Sequence, residues 1–480
     1  MINYLIRKIQ PGVKFVVKQI TSLLLLLLLA PLPLLAFQQP LPGQQINKDT
    51  TVKPPAKPDY FASRKKFGRS ALLLGVAELT PWTFDRFIGG AYDYKVDFGT
   101  IKHNINLRNW AFDNDPFVTN QFAHPFHGST YFNAFRANGY TFWQSVPAPF
   151  VGSYIWETLS ERQSPAPNDF INTSFGGVIL GEMTFRLSTR IVNNQSRGFK
   201  RQAAEAVALL IDPMNGLNRI INGKWGKVTP NSSEHDSSKV YGEIDIGMRR
   251  INGYNKAGNL GWYGHAKLLY GTPDENYRVP FSNIAINAEF GKDDSTAVNV
   301  VSAYGSLAGW EVTSTDKVEQ VAVLSANYDY IHNQQFFYGG QSIKINLYSE
   351  YDLAKKIKIN TVISAGPIIL GAAPDIYRYH GRDYDYGSGA SASVSAGIKF
   401  DDRLSYTIHY GTGWLGSLNG YASHYFIHTV SSEISAKIID GFSLAGEPGY
   451  FSLSSYYKNH PELHKNYPYL RLSARYSVNF

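Results

Sequence analysis

The chain has 480 residues, no cysteine, 42 glycines, 24 prolines and a formal net charge of +8. Charged residues make up 18% and aromatics 14%, led by 32 tyrosines. This is too apolar for intrinsic disorder, lacks a disulfide scaffold and is too polar for a bundle of spanning helices. A large soluble enzyme or a membrane β-barrel is left.

Arg7, Lys8, Lys14 and Lys18 precede a leucine tract, Leu23 to Leu29, which is interrupted by Pro31 and Pro33 and ends at Ala36. An apolar core of about 15 residues falls short of the ~20 a spanning helix needs, so residues 1–36 read as a signal peptide. Its removal leaves a charge of about +4, which gives no ground for nucleic-acid binding. Residues 37–70 read as a linker rich in proline (Pro40, Pro42, Pro54, Pro55, Pro58). It ends in a basic cluster, Arg64, Lys65, Lys66 and Arg69, which is either solvated or faces an anionic lipid surface.

Residues 71–230 carry mostly helical spacing. It predicts a helix through Tyr131–Trp143, a second over Phe150–Glu161, and a third over Asp169–Ile191 with Asn168 at its N-cap. A fourth covers Gly198–Ile211 and restarts after Pro213 to run to Ile221. Residues 94–109 offer a further strand, because Ile101, His103, Ile105 and Leu107 share one face at period two.

From 241 to 480 the period changes to two. Leu470, Leu472, Ala474, Tyr476, Val478 and Phe480 alternate with Arg471, Ser473, Arg475, Ser477 and Asn479. Ile343, Ile345 and Leu347, and Ala392, Val394, Ala396, Ile398 and Phe400, repeat the pattern. The apolar faces end in aromatics, as interfacial girdles do, and most segments reach the ~9–11 residues a tilted spanning strand requires. Tight turns at Asp440-Gly441, Asp401-Asp402 and Lys355-Lys356 alternate with longer connections near 414–424, 372–388 and 457–466. The connection around 291–295 is short where a long one is expected. Hydrocarbon offers no partner to backbone N–H and C=O groups, so spanning strands must close into a barrel. The expected fold is mainly β with an α-helical subdomain. It is an antiparallel transmembrane β-barrel of about twelve strands, in a range of ten to fourteen, with the helices as a lumen plug or a periplasmic cap.

Residues with chemical potential lie between 124 and 186. His124 and His127 are candidate bases, and Glu157 and Asp169 candidate acids. Tyr131, Arg136, Glu161, Asn172, Glu182 and Arg186 are candidate binding residues. Two histidines without a fixed third ligand imply no metal, and no cofactor motif is present. Glu182 and Arg186, four apart, read most simply as a helix-stabilising ion pair. Gly177 and Gly181 read as a site of close helix–helix packing.

The run from "HPFHGSTYFNAFRANGYTFWQS" through "GSYIWETLSERQSPAPNDFINTSFGGVILGEMTFRLS" to "DPMNGLNRIINGKW" resembles an uncharacterised family of exported outer-membrane proteins of Gram-negative bacteria. Over roughly 95–230 its pattern reads HPxHG…WE…NDxxxT…GGxxxGE. The order His127, Glu157, Asp169, Asn172, Gly176 and Gly177 is more distantly similar to VanZ-like helical membrane proteins, whose helices are more hydrophobic. The resemblance implies outer-membrane location and supplies no activity.

Two functions follow as expectations. One is an outer-membrane barrel in envelope organisation, or in passage or binding of a small molecule or lipid. The other is an outer-membrane enzyme acting on a lipid or cell-wall substrate through His124 or His127 with Glu157 or Asp169. Expected partners are outer-membrane lipid and, through the terminal Phe480, the outer-membrane assembly machinery.

Overall fold

The computed structural model describes residues 65–89, 94–231 and 239–479, apart from 254–256, 274–275, 292–296, 316, 334, 355–356 and 401–402. The segment read as a signal peptide, nearly all of the segment read as a linker, and Phe480 lie outside the described residues.

Twelve antiparallel strands close into one barrel in sequence order, and the last pairs with the first. They are β1 Val240–Ile251, β2 Leu260–Tyr270, β3 Ile284–Gly291, β4 Val298–Ser314, β5 Val318–His332 and β6 Phe337–Ala354. β7 Ile357–Pro374, β8 Tyr384–Phe400, β9 Leu404–Asn419, β10 Ser423–Ile439, β11 Phe442–Tyr457 and β12 Leu463–Asn479 complete the wall. The expected strand number is the one observed. The connection read as long near 414–424 is a correction: β9 runs on to Asn419 and β10 begins at Ser423. Gly411, Gly413 and Gly416 sit within paired strand there and do not open a loop.

Nine α-helices precede the barrel among the described residues. They are α1 Phe67–Thr83, α2 Phe98–Asn104, α3 His124–Arg136, α4 Phe142–Ser145 and α5 Pro147–Ile155. α6 Pro167–Ile171, α7 Gly177–Ile191, α8 Gly198–Ile211 and α9 Pro213–Ile221 follow. The strand read over 94–109 is instead α2 and a 3-10 turn, Leu107–Asn109. Asp97 caps α2 by accepting from the Thr100 N–H at 2.8 Å, and this local bond overrides a four-residue alternation. The helix read through Tyr131–Trp143, with His124 at its beginning, starts at His124 and stops short of Trp143, before Gly139, whose φ of +89° ends it.

Ion pairs that cross the barrel tell which face of the wall looks inward. Arg471 on β12 reaches Glu289 on β3 at 2.6 Å. Arg475, also on β12, bridges Asp245 on β1 at 2.8 Å and Glu433 on β10 at 2.7 Å. Contacts that skip whole strands are possible only on the concave side. Side chains alternate along a strand, so Ile284, Ala288, Ala303, Ala326, Tyr328 and Tyr330 point outward. All six are nevertheless buried, in one cluster with Phe117, Phe122, Phe132, Phe142, Ile179 and Met183 of the helical region. Tyr384 and Tyr386, which flank the inward Asp385 on β8, are also fully covered.

The helices therefore lie against the outside of the wall, over β3 to the start of β8, and neither plug the lumen nor cap the barrel. The outer face is shaped for this. Gly305 admits Phe281, and Gly339 admits Gln121, where a Cβ would meet the neighbour at 2.1 Å and 2.6 Å. Elsewhere the outward positions are large and exposed, as at Ile246, Met248, Trp262, Ile363, Leu470 and Leu472.

Candidate functional site

The helical domain is built on a close crossing of α3 and α7. A Cβ on Gly128 would lie 1.8 Å from the Thr173 carbonyl oxygen, and one on Gly177 would lie 2.5 Å from the Gly128 carbonyl carbon. Gly181 seats Phe132 in the same way. This contact brings the start of α3, with His124 and His127, beside the segment 167–177.

π-helical turns interrupt the helices at Thr119–Ala123, Trp156–Ser160 and Asn172–Gly176. Each presents buried polar side chains: Asn120 and Gln121, Glu157, and Asn172 with Thr173. Such turns insert one residue into the i→i−4 ladder and swing side chains out of register, which is why they recur at functional sites.

His124 and Asp169 come together. The Nε2 of His124 stands 3.5 Å from Oδ1 of Asp169, and its Nδ1 lies 3.2 Å from the Thr173 hydroxyl. Burial pushes the His124 imidazole down to about 4, against the pull of nearby Asp113, so it is neutral at pH 7. Burial, then Asp113, Glu157, Asp115 and Glu161, push the Asp169 carboxyl well above the usual carboxylate range. Asp169, Asp113, Asp115 and Glu161 line a cavity of about 20 Å³ together with Tyr94, room for about one water molecule.

Sequence reasoning passed over several members of this network. Asn168, read as an N-cap, is instead a connector. Its Nδ2 donates to Asp113 at 2.7 Å, to Asp169 at 2.7 Å and to the Tyr386 hydroxyl at 3.1 Å. Asn120 donates to Asp113 at 2.9 Å and to the Tyr384 hydroxyl at 2.8 Å, and Arg382 donates to the Asp113 carbonyl at 2.8 Å. The site is thus stitched to the barrel wall at β8. The run Asp113-Asn114-Asp115-Pro116 was the available signal for the two aspartates; nothing local marks tyrosines 270 residues further on as their partners.

The other candidates separate. His127 faces α1: its Nε2 lies 3.1 Å from the Ala77 carbonyl and 2.9 Å from the Tyr131 hydroxyl, with the Trp156 ring edge-on at 4.8 Å. Burial lowers His127 to about 4 as well. Glu157 accepts from the Ala166 N–H at 2.8 Å, and burial, then Glu161, raise it well above the usual range. Glu161 lies past the end of the π turn and accepts from the Trp156 indole at 2.6 Å. Arg136, Glu182 and Arg186 form a fully buried triad away from His124. Glu182 takes Arg136 Nε at 2.8 Å and Arg186 Nε at 2.8 Å, and Arg186 also donates to the Pro280 carbonyl at 2.8 Å. That triad ties α3 to α7 and to the segment before β3. Asn172 is fully buried, and neither atom of its amide has a hydrogen-bond partner among the described residues.

The lumen is polar and crossed by charge. A cavity of about 270 Å³ lies among Asp245, His265, Glu289, Glu433, Glu447 and Arg471. Glu243, Asp245 and His265 could bring ligand atoms within 4.8 Å of one another. Arg475 already pairs with Glu243 at 3.3 Å and Asp245 at 2.8 Å, so the group reads as part of the ion-pair lattice. Toward the rim where β10 and β12 begin, the interior is filled by Phe336, Tyr425, Phe451, Tyr457, Tyr467 and Tyr469.

Residues 109–214 match a family described as a domain of unknown function (DUF3943). The matched segment holds every site residue expected from the sequence, from His124 to Arg186. No curated protein matches the chain. Among solved structures, the NanC porin is similar at a TM-score of 0.30 and 9% identity, over 48% of this chain and 98% of that one. The KdgM porin is similar at 0.25 and 11%, over 49% and 99%. OmpT, an outer membrane protein of Vibrio cholerae, is similar at 0.25 and 10%, over 51% and 98%.

Proposed function

We propose that this chain is an outer-membrane β-barrel whose helical domain binds a lipid or small amphiphile, and that its barrel is not an open pore. Location is supported by the closed wall with large apolar residues exposed outside and ion pairs inside. That arrangement matches a solvent of hydrocarbon and inverts the usual preference of water-soluble proteins. The observation that carries the binding role is the buried His124–Asp169 pair, 3.5 Å apart, beside an acidic cavity of about 20 Å³ that must open to admit a polar headgroup. The unpaired amide of Asn172, next in sequence to Thr173, adds a buried donor and acceptor to the same segment. We also take HPxHG…WE…NDxxxT…GGxxxGE as the signature of the matched family, with its order shared by VanZ-like proteins.

Two measurements test this. The folded barrel migrates faster on a denaturing gel before boiling than after, and fractionates with outer membrane; a single boiling-independent band overturns the barrel placement. Native mass spectrometry of the detergent-purified protein retains a lipid adduct that the double variant His124→Ala, Asp169→Asn loses. An adduct retained equally by both removes the site. An enzymatic reading rests on the same 3.5 Å approach of the His124 imidazole to the Asp169 carboxyl, whose pKa burial raises, a candidate base and acid side by side. It requires that the retained lipid be altered on incubation with wild-type protein and unaltered with the variant.

A further inference from the structure

The helical domain has a second face, opposite the one that covers the barrel wall, and its composition is unusual for a surface in water. From Ser70 to Trp82 the single charged residue is Glu78, and it is buried. The exposed positions there include Leu72, Val76 and Leu79. From Pro147 to Ser160 the single charged residue is Glu157, again buried, while Val151, Tyr154 and Leu159 are exposed. In both stretches the carboxylate points in and the aliphatic side chains point out. Leu72 is 62% exposed, Leu79 60% and Val151 52%, the same range as the 57% of Leu472 and 54% of Ile363 on the bare barrel wall.

We propose that this outer face is a lipid-contacting surface, so that the helical domain sits within the bilayer as a lateral extension of the barrel. Its occupant is the acyl chains of the surrounding membrane. Continuity with the wall carries the argument. The domain covers, along β3 to the start of β8, the same outward face of the wall that elsewhere exposes Ile246, Met248, Trp262, Val394 and Leu470. A body seated on that face interrupts the apolar belt if it presents Leu72, Val76, Leu79 and Val151 to water. None of its described helices is long and apolar enough to cross a membrane by itself, so the domain is held there by the barrel. Lys65 and Lys66, exposed at the start of α1, stand where the apolar stretch begins, which suits anionic headgroups. Contiguous exposed apolar patches of this kind mark interaction surfaces.

This inference rests on the outer-membrane placement of the barrel, and one experiment separates the two. The chain has no cysteine, so single nitroxide labels can be placed without removing native thiols. Labels are placed at Leu72→Cys, Leu79→Cys and Val151→Cys, with Leu472→Cys on the wall and Asp440→Cys in an exposed turn. The full chain is reconstituted in phosphatidylethanolamine–phosphatidylglycerol vesicles, and collision with oxygen is compared with collision with a polar nickel chelate. The three helical sites are expected to favour oxygen to the same degree as Leu472, with Asp440 favouring the chelate. Helical sites that follow Asp440 while Leu472 favours oxygen overturn the inference alone. Preference for the chelate at Leu472 as well overturns the membrane placement and the inference with it.

Discussion

At the residue scale, the buried charges of the helical domain are the most exposed to test. Glu182 lies between Arg136 and Arg186, and all three side chains are almost fully out of solvent. Glu182→Ala leaves two guanidinium groups buried without their shared anion, and breaking a buried pair in this way costs about 3–5 kcal/mol. The expected result is a lower denaturant midpoint for the tryptophan fluorescence of the helical domain, with the gel mobility of the barrel kept. Glu78 gives a pH signature. Burial raises it from an ordinary 4.5 to about 8, with the Tyr131 hydrogen bond opposing. The folded state therefore holds this proton longer than the unfolded one. Its contribution is complete below pH 4.5 and is lost as pH rises to about 8, a loss of at most about 5 kcal/mol. Glu78→Gln abolishes that slope, so its thermal midpoint at pH 9 should exceed that of wild type; equal midpoints would show that Glu78 titrates normally. The sequence marked Glu182 and Arg186 by their spacing. It could not mark Glu78, because only tertiary packing distinguishes a carboxylate on the covered side of an apolar helix from one on its surface.

At the element scale, the crossing of α3 and α7 depends on backbone touching backbone. Gly128→Ala places a methyl into the Thr173 carbonyl, and relief requires the helices to separate; overpacking of this kind costs about 1–3 kcal/mol or more. Gly75 in α1 is the internal control, with nothing within 4 Å of its missing Cβ. Gly75→Ala should gain up to about 1 kcal/mol from helix propensity. Limited proteolysis reads the contrast: cleavage between 120 and 190 accelerates in the first variant and slows in the second. The paired glycines at 177 and 181 disclosed half of this contact in sequence, and Gly128 completed it from a helix 49 residues earlier. The π turns were not legible at all. A five-residue spacing has no signature in a hydrophobic pattern read at 3.6, and so Glu157 and Glu161, four apart in sequence, end up with different partners.

At the scale of the whole molecule, the barrel was the most legible feature, because period two repeated over 240 residues allows few alternatives and hydrocarbon leaves only closure. The side of the wall on which the helices dock was hidden. Its cue was the small residues Ala303, Gly305, Ala326 and Gly339 on the outer face, and these become meaningful only once the register assigns them outward. The same register fixes the lumen. Arg249 and Arg471 meet at Glu289, Arg471 also holds Glu447 at 2.9 Å, and Arg475 ties Asp245 to Glu433. These bonds lie across the bore, with an aromatic cluster filling it toward the rim where β10 and β12 begin. An ion path would have to break several charge-assisted bonds at once, each worth about 1.5–3 kcal/mol. Wild-type protein in a planar bilayer should therefore give no resolved conductance steps at low voltage. Arg471→Ala with Arg475→Ala removes the bridging cations and leaves Asp245, Glu289, Glu433 and Glu447 lining the bore. Provided its heat-modifiable mobility is retained, that variant should open to discrete, cation-selective steps, because an acidic bore concentrates cations. Large steps from the wild type would mean that the lattice yields in a bilayer, and would return the barrel to the class of open pores.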